Sequence, residues 1–115
     1  METKKHKGYR WEQIVSDRYH TNWFIILQQN YTIRWGEIDI IATTEDEIIF
    51  IEVKVIDSID DIHWFLTKKK LHYLAKCSEH FVRAHPQYEN KQKRIDVVLV
   101  KNNTIYEHFT NVTLD

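Results

Sequence analysis

Asp39, Glu52 and Lys54 are the side chains of this sequence whose types and spacing most clearly support chemistry. They lie in "RWGEIDIIA" (Arg34 to Ala42) and "IIFIEVKV" (Ile48 to Val55), two runs dominated by isoleucine and valine. An unpaired carboxylate buried in such a run is costly, so Glu37, Asp39 and Glu52 are expected to serve a purpose there. Two converging carboxylates offer hard oxygen ligands to Mg²⁺ or Mn²⁺, and a neighbouring lysine offers fixed positive charge. Such a set suits phosphodiester hydrolysis, in which water is activated and developing negative charge is neutralised. The plain alternative for Glu-x-Lys is a salt-bridged, exposed strand face.

These groups work together only if their elements bring them together. Strand alternation puts Glu37, Asp39 and Ile41 on one face, and Ile48, Phe50, Glu52 and Lys54 on one face of the next strand. The strands are expected over Gly36 to Ala42 and Glu47 to Val55, joined by a turn at Thr43 to Asp46. If Thr43 faces Ile48, Asp39 falls opposite Glu52 and Glu37 opposite Lys54, with opposed Cβ atoms about 4.5–5.5 Å apart. A helix is expected from Gly8 to His20, with Trp11, Ile14, Val15 and Tyr19 as its apolar stripe and Glu12 off the stripe's centre. Trp23 to Leu27 and Tyr31 to Ile33 read as one or two further strands.

After Ser58 the pattern reads as a loop or short helix, and then as a longer helix from Thr67 to Ala84 ended by Pro86. Leu71, Leu74, Ala75, Ser78, Phe81 and Val82 form its apolar stripe. Another face carries Lys69, Tyr73, Lys76, His80 and Arg83; Lys69, Lys76 and Arg83 are candidate phosphate contacts, though a solvated helix face has the same pattern. Ile95 to Val100, a turn at Asn102-Asn103 and Ile105 to Phe109 complete a closing hairpin. The order of helix, strands, helix and strands implies an α/β fold around a mixed sheet.

Composition excludes several classes. With 115 residues, 43% apolar, and only two glycines and one proline, the chain is expected to form one ordered domain over residues 1–115. Its apolar runs are shorter than a membrane span and its start lacks a signal peptide's apolar core, so a cytoplasmic protein without a membrane partner is expected. The single Cys77 agrees with a reducing compartment. Net charge is only -1, but nine acidic residues and one basic residue lie between Glu37 and Asp61. That division would place a metal ion centrally and phosphates around it. Cys77-x-x-His80 lacks a second pair at zinc-finger spacing, and with Gly8 and Gly36 as the sole glycines no phosphate-cradling glycine loop exists.

"GEIDIIA" followed by "IIFIEVKV" resembles the PD-(D/E)-X-K nuclease superfamily. The whole chain resembles its small YraN-like branch, which is similar to archaeal Holliday-junction resolvases. The likeness runs from Gly8 and Glu12, through both motif strands, to "RIDVVLV" and "HFTNV". It implies a restriction-endonuclease-like α/β fold of order α-β-β-β-α-β with a closing hairpin. By position it implies Asp39 and Glu52 as metal ligands for Mg²⁺ or Mn²⁺, Lys54 as the catalytic lysine and Glu12 as an added carboxylate. Glu37 matches the family's Gly-Glu pair and is a further candidate.

Two departures from the family pattern stand out. Val55 and Ile56 follow the lysine where relatives often carry threonine or serine and then arginine, and "DSIDDIHWF" replaces a common phenylalanine-glycine loop. The expected function is a metal-dependent endonuclease hydrolysing DNA, with branched or junction DNA among its substrates and a homodimer among its assemblies. The alternative is a non-cleaving nuclease-fold protein that binds nucleic acid or a protein partner.

Overall fold

A computed structural model describes residues 4–34, 36–57 and 67–112. Helix α1 (Lys4–Thr21) starts four residues before the expected Gly8, and strand β1 follows at Ile25–Ile33. Strands β2 (Gly36–Thr43) and β3 (Glu47–Val55), helix α2 (Lys68–Ala84), a 3-10 turn at Pro86–Tyr88, β4 (Gln92–Lys101) and β5 (Thr104–Phe109) complete the order. The expected loop or short helix after Ser58, and the acidic stretch up to Phe65, lie outside the described residues apart from Asp57.

The five strands form one mixed sheet in the order β1-β2-β3-β4-β5. Only β3 and β4 pair in parallel, because the chain returns to the sheet through α2 rather than through a tight turn. Alternation along β3 selects the layers: Ile49 and Ile51 pack with Val15 and Tyr19 of α1, whereas Ile48 and Phe50 pack with Cys77, Phe81 and Val82 of α2. The helices therefore cover opposite faces of an isoleucine- and valine-rich sheet. This is the restriction-endonuclease-like α/β arrangement that the element order implies. No helix among the described residues is long and apolar enough to cross a membrane.

Local chemistry explains the boundaries. The Thr67 hydroxyl accepts the Lys70 N–H at 3.2 Å, capping α2, and Pro86 follows its end. Asn102 and Asn103 adopt φ of 51° and 63°, the left-handed pair that a two-residue hairpin turn needs. Of the one or two strands expected before Gly36, the chain forms a single one, Ile25–Ile33. Leu27 is an extra residue at a register shift between Ile26 and Gln28, and Asn30 takes φ of 54°, so one strand carries two irregularities that break its pattern. Trp23 is outside that strand, in the turn after α1 with φ of 72° and 90% exposure.

Candidate active site

The β2–β3 hairpin has the expected register: Thr43 pairs with Ile48, Ala42 with Ile49, Ile41 with Phe50 and Ile40 with Ile51. The paired ladder ends there. One residue on, Asp39 Oδ2 accepts the Val53 N–H at 2.7 Å, so a side-chain carboxylate satisfies a donor that a strand partner would otherwise take. The expected pairings of Asp39 with Glu52 and of Glu37 with Lys54 are thus not part of the ladder, whose last pair is Ile40–Ile51.

Strict alternation also lapses at this point, which corrects the shared face expected for Glu37, Asp39 and Ile41. Ile38 and Ile41 both join the α2-side cluster, while Ile40 joins the α1-side cluster. Asp39 stands inside the lapse, across from Asn30, between the pairs Gln29–Ile40 and Tyr31–Ile38. The left-handed backbone of Asn30 permits such a local twist.

Three carboxylates lie near this split, with Asp39 acting electrostatically on both of the others. Asp39 is buried on β2, Glu52 is half-buried on β3, and Glu12 is half-buried on α1. Burial, then the charge of Asp39, raises the Glu12 pKa to about 7, against a hydrogen bond from Asn30. Burial and the charge of Asp39 also raise Glu52. Asp39 is raised by burial and by the charge of Glu37, opposed by the Val53 N–H, Lys70 and Lys54. Glu37 itself is exposed at the rim. Among the described residues Glu12 Oε2 is buried without a hydrogen-bond partner, a state that normally costs free energy.

Among the described residues, Lys70 forms an ion pair with this cluster, and the sequence pattern did not single it out. Its Nζ lies 3.4 Å from Glu52 Oε1, whose side chain is only 12% exposed. A usable signal was present. Lys70, Leu74 and Cys77 follow one another at helical spacing, so Lys70 extends the buried stripe of α2 toward the sheet. Lys54 is exposed at the end of β3, and its charge also lowers the Asp39 pKa.

Among the nucleic-acid candidates, Lys69 and Lys76 line one groove on α2 with His72 and Tyr73. Arg83 is not brought to that groove; it lines another, farther along the helix, with Glu79, Pro86 and Lys93. Trp11 is half-buried against the α1-side core, and Trp35 and Trp64 lie outside the described residues.

The donor chemistry fits a hard divalent cation. The carboxylates are destabilised by burial and by one another, and one buried oxygen of Glu12 is unsatisfied. Among the described residues no three such side chains already stand at coordinating distance. Mg²⁺ does not require that, since it is commonly held by one or two carboxylates together with water and substrate phosphate.

Residues 11–100 match the profile of the uncharacterised protein family UPF0102. A UPF0102 protein of Treponema denticola is 32% identical over 93 residues, covering 73% of this chain and 72% of that one. A UPF0102 protein of Sulfurihydrogenibium sp. is 36% identical over 88 residues, covering 75% of each. One from Rhodopseudomonas palustris is 27% identical over 97 residues, covering 84% of this chain and 75% of the relative.

Proposed function

Because the chain belongs to UPF0102, the YraN-like family of the PD-(D/E)-X-K nuclease superfamily, we propose that it is a metal-dependent endonuclease hydrolysing DNA phosphodiester bonds. The observation that carries this reading is the nearness of Asp39 to both Glu12 and Glu52 where β2 and β3 part, with Lys70 and Lys54 acting on Asp39. Asp39 and Glu52 would hold Mg²⁺ or Mn²⁺. When bound, that ion would supply a more acidic water and neutralise charge on phosphate.

The chain's own residues have separate tasks. The Val53 N–H fixes Asp39 through Oδ2. Lys54 is exposed, so its ammonium reaches a phosphate outside the sheet and opposes the charge that develops as the P–O bond breaks. Glu12, with its raised pKa, accepts or returns a proton near neutral pH. Exposed Lys69 and Lys76 bind phosphates in ground and transition states alike.

A second reading, a nuclease-fold protein that binds without cleaving, draws support from the Lys70–Glu52 ion pair, which already satisfies one of the two carboxylates. One experiment separates the two. Flap, junction, single-strand and duplex DNAs are incubated with Mg²⁺ or Mn²⁺ under single-turnover conditions. Cleavage by the wild type that falls by orders of magnitude in Lys54→Ala, with DNA affinity at fixed salt nearly unchanged, supports the enzyme. Binding without cleavage on every substrate with both metals supports the second reading.

A further inference from the structure

One aromatic side chain forms the wall between the carboxylate site and the basic groove of α2. Tyr73 lines, with Gly36, Glu37 and Lys70, a cleft of about 220 Å³. Lys70 links that cleft to Glu52. Tyr73 also lines, with Lys69, His72 and Lys76, a groove of about 350 Å³. Its side chain stands 44% exposed among these groups.

An aromatic ring flanked by lysines matches a ligand that combines a flat apolar surface with regular negative charge. Nucleic acid has both, but its base faces are free only where nucleotides are unpaired, since in a duplex they stack on one another. Lys69 and Lys76 bracket Tyr73 about 10 Å apart along the helix axis, so the phosphates on either side of a stacked nucleotide fall within reach of one lysine each. A duplex would engage the lysines and leave the ring uncovered.

We propose that Tyr73 determines specificity by stacking on an unpaired base beside the carboxylate site, so that the favoured ligand is DNA with a single-stranded segment. The place of that base relative to a cleaved bond rests on the nuclease reading. The stacking itself is a binding property and is testable without cleavage.

The test uses the full chain, with EDTA and separately with Ca²⁺, at one fixed salt concentration. Two labelled oligonucleotides are compared, a blunt duplex and the same duplex with a short single-stranded tail that carries 2-aminopurine next to the junction. The expected result is tighter binding of the tailed DNA with quenching of the 2-aminopurine. Tyr73→Ala should lose roughly tenfold in affinity for the tailed DNA, together with the quenching, and keep its affinity for the blunt duplex. Tyr73→Trp should retain both properties, and Tyr73→Leu, which keeps bulk without a ring, should behave as the alanine variant.

Unchanged affinity and quenching in Tyr73→Ala would overturn the proposal, as would equal losses on both DNAs or no binding by the wild type in either buffer. The two readings fail differently. Tyr73-dependent stacking in a protein that cleaves nothing with Mg²⁺ or Mn²⁺ keeps this inference and removes the nuclease, whereas cleavage by a protein whose DNA affinity and quenching are unchanged in Tyr73→Ala removes this inference alone.

Discussion

Glu12 carries a measurable consequence of holding three carboxylates together. Its folded-state pKa of about 7 lies above the ordinary 4.5, so the folded chain binds the proton more tightly than the unfolded chain. The stability this contributes is full below pH 4.5 and is lost as pH rises through 7. Glu12→Gln, which cannot ionise, should therefore raise the melting temperature at pH 8 by about 5 °C or more, with the gain vanishing near pH 4. Thermal unfolding at the two pH values reads this directly, and no gain at pH 8 would contradict the electrostatic account. Mg²⁺ or Mn²⁺ should stabilise the wild type by mass action, because bound cation relieves the same repulsion. Asp39→Asn should lose part of that response. An equal thermal shift in both proteins would place the ion elsewhere.

Elements set how closely these groups approach, and Gly36 shows the limit. A Cβ built at Gly36 would stand 2.7 Å from Cys77 Sγ, so the first residue of β2 touches α2 without room for a methyl group. Cys77 is itself buried, so moving its sulfur would disturb the packing around it. Gly36→Ala should push α2 from the sheet and cost about 1–3 kcal/mol. Cys77→Ala should cost stability alone by leaving a cavity, but it vacates the space the new methyl needs. The double variant should accordingly be more stable than the two single losses added together, as measured by urea unfolding. Simple additivity would mean that the contact does not limit the approach. The same approach places Lys70 against Glu52, so the packing of α2 and the charge of the site are linked.

Across the whole molecule, a second polar cluster ties together elements that the sheet alone does not. Asp96 on β4 is fully buried and accepts hydrogen bonds from Tyr19 Oη of α1 at 2.5 Å, Arg94 Nε and Nη2 at 3.0 Å, and the Asn111 N–H at 2.9 Å. His108 Nε2 of β5 lies 3.3 Å away, and Arg94 Nη1 reaches Glu47 on β3 at 3.3 Å. Burial would raise the Asp96 pKa, but bonds from His108, Arg94, Tyr19 and the Asn111 N–H outweigh it and lower it from 3.8 to about 2. A lowered pKa gives stability that is present above pH 4 and lost as pH falls through 2. Acid unfolding should therefore draw on this group between about pH 4 and 2, with roughly 2–3 kcal/mol at stake. Asp96→Asn should cost about 3–5 kcal/mol at pH 7 by leaving Arg94 without its buried partner, while Tyr19→Phe should cost about 1 kcal/mol. Denaturant titrations at pH 7 and pH 3 measure both, and an Asp96→Asn loss that persists undiminished at pH 3 would count against the ionic account.

Some of this was legible in the sequence because its causes are local. Period-two alternation of isoleucine and valine marked β2 and β3, and the short link between them set the register from Thr43–Ile48 to Ile40–Ile51. The spacing of Leu71, Leu74, Phe81 and Val82 marked the buried face of α2. Asp39 and Glu52 were conspicuous as carboxylates in apolar strands. What sequence could not supply depends on groups distant along the chain. The ladder ends at Ile40–Ile51 and the Asp39 carboxylate takes the Val53 N–H just past it, an exchange that no local pattern encodes. Lys70 meets Glu52, and Asp96 gathers Tyr19 and His108, only after α2 and α1 have packed on opposite faces of the sheet. Local propensity and periodicity choose an element and its buried face. Which polar groups then share a low-dielectric space, and so which ones change their affinity for protons, is decided by packing between elements far apart in sequence.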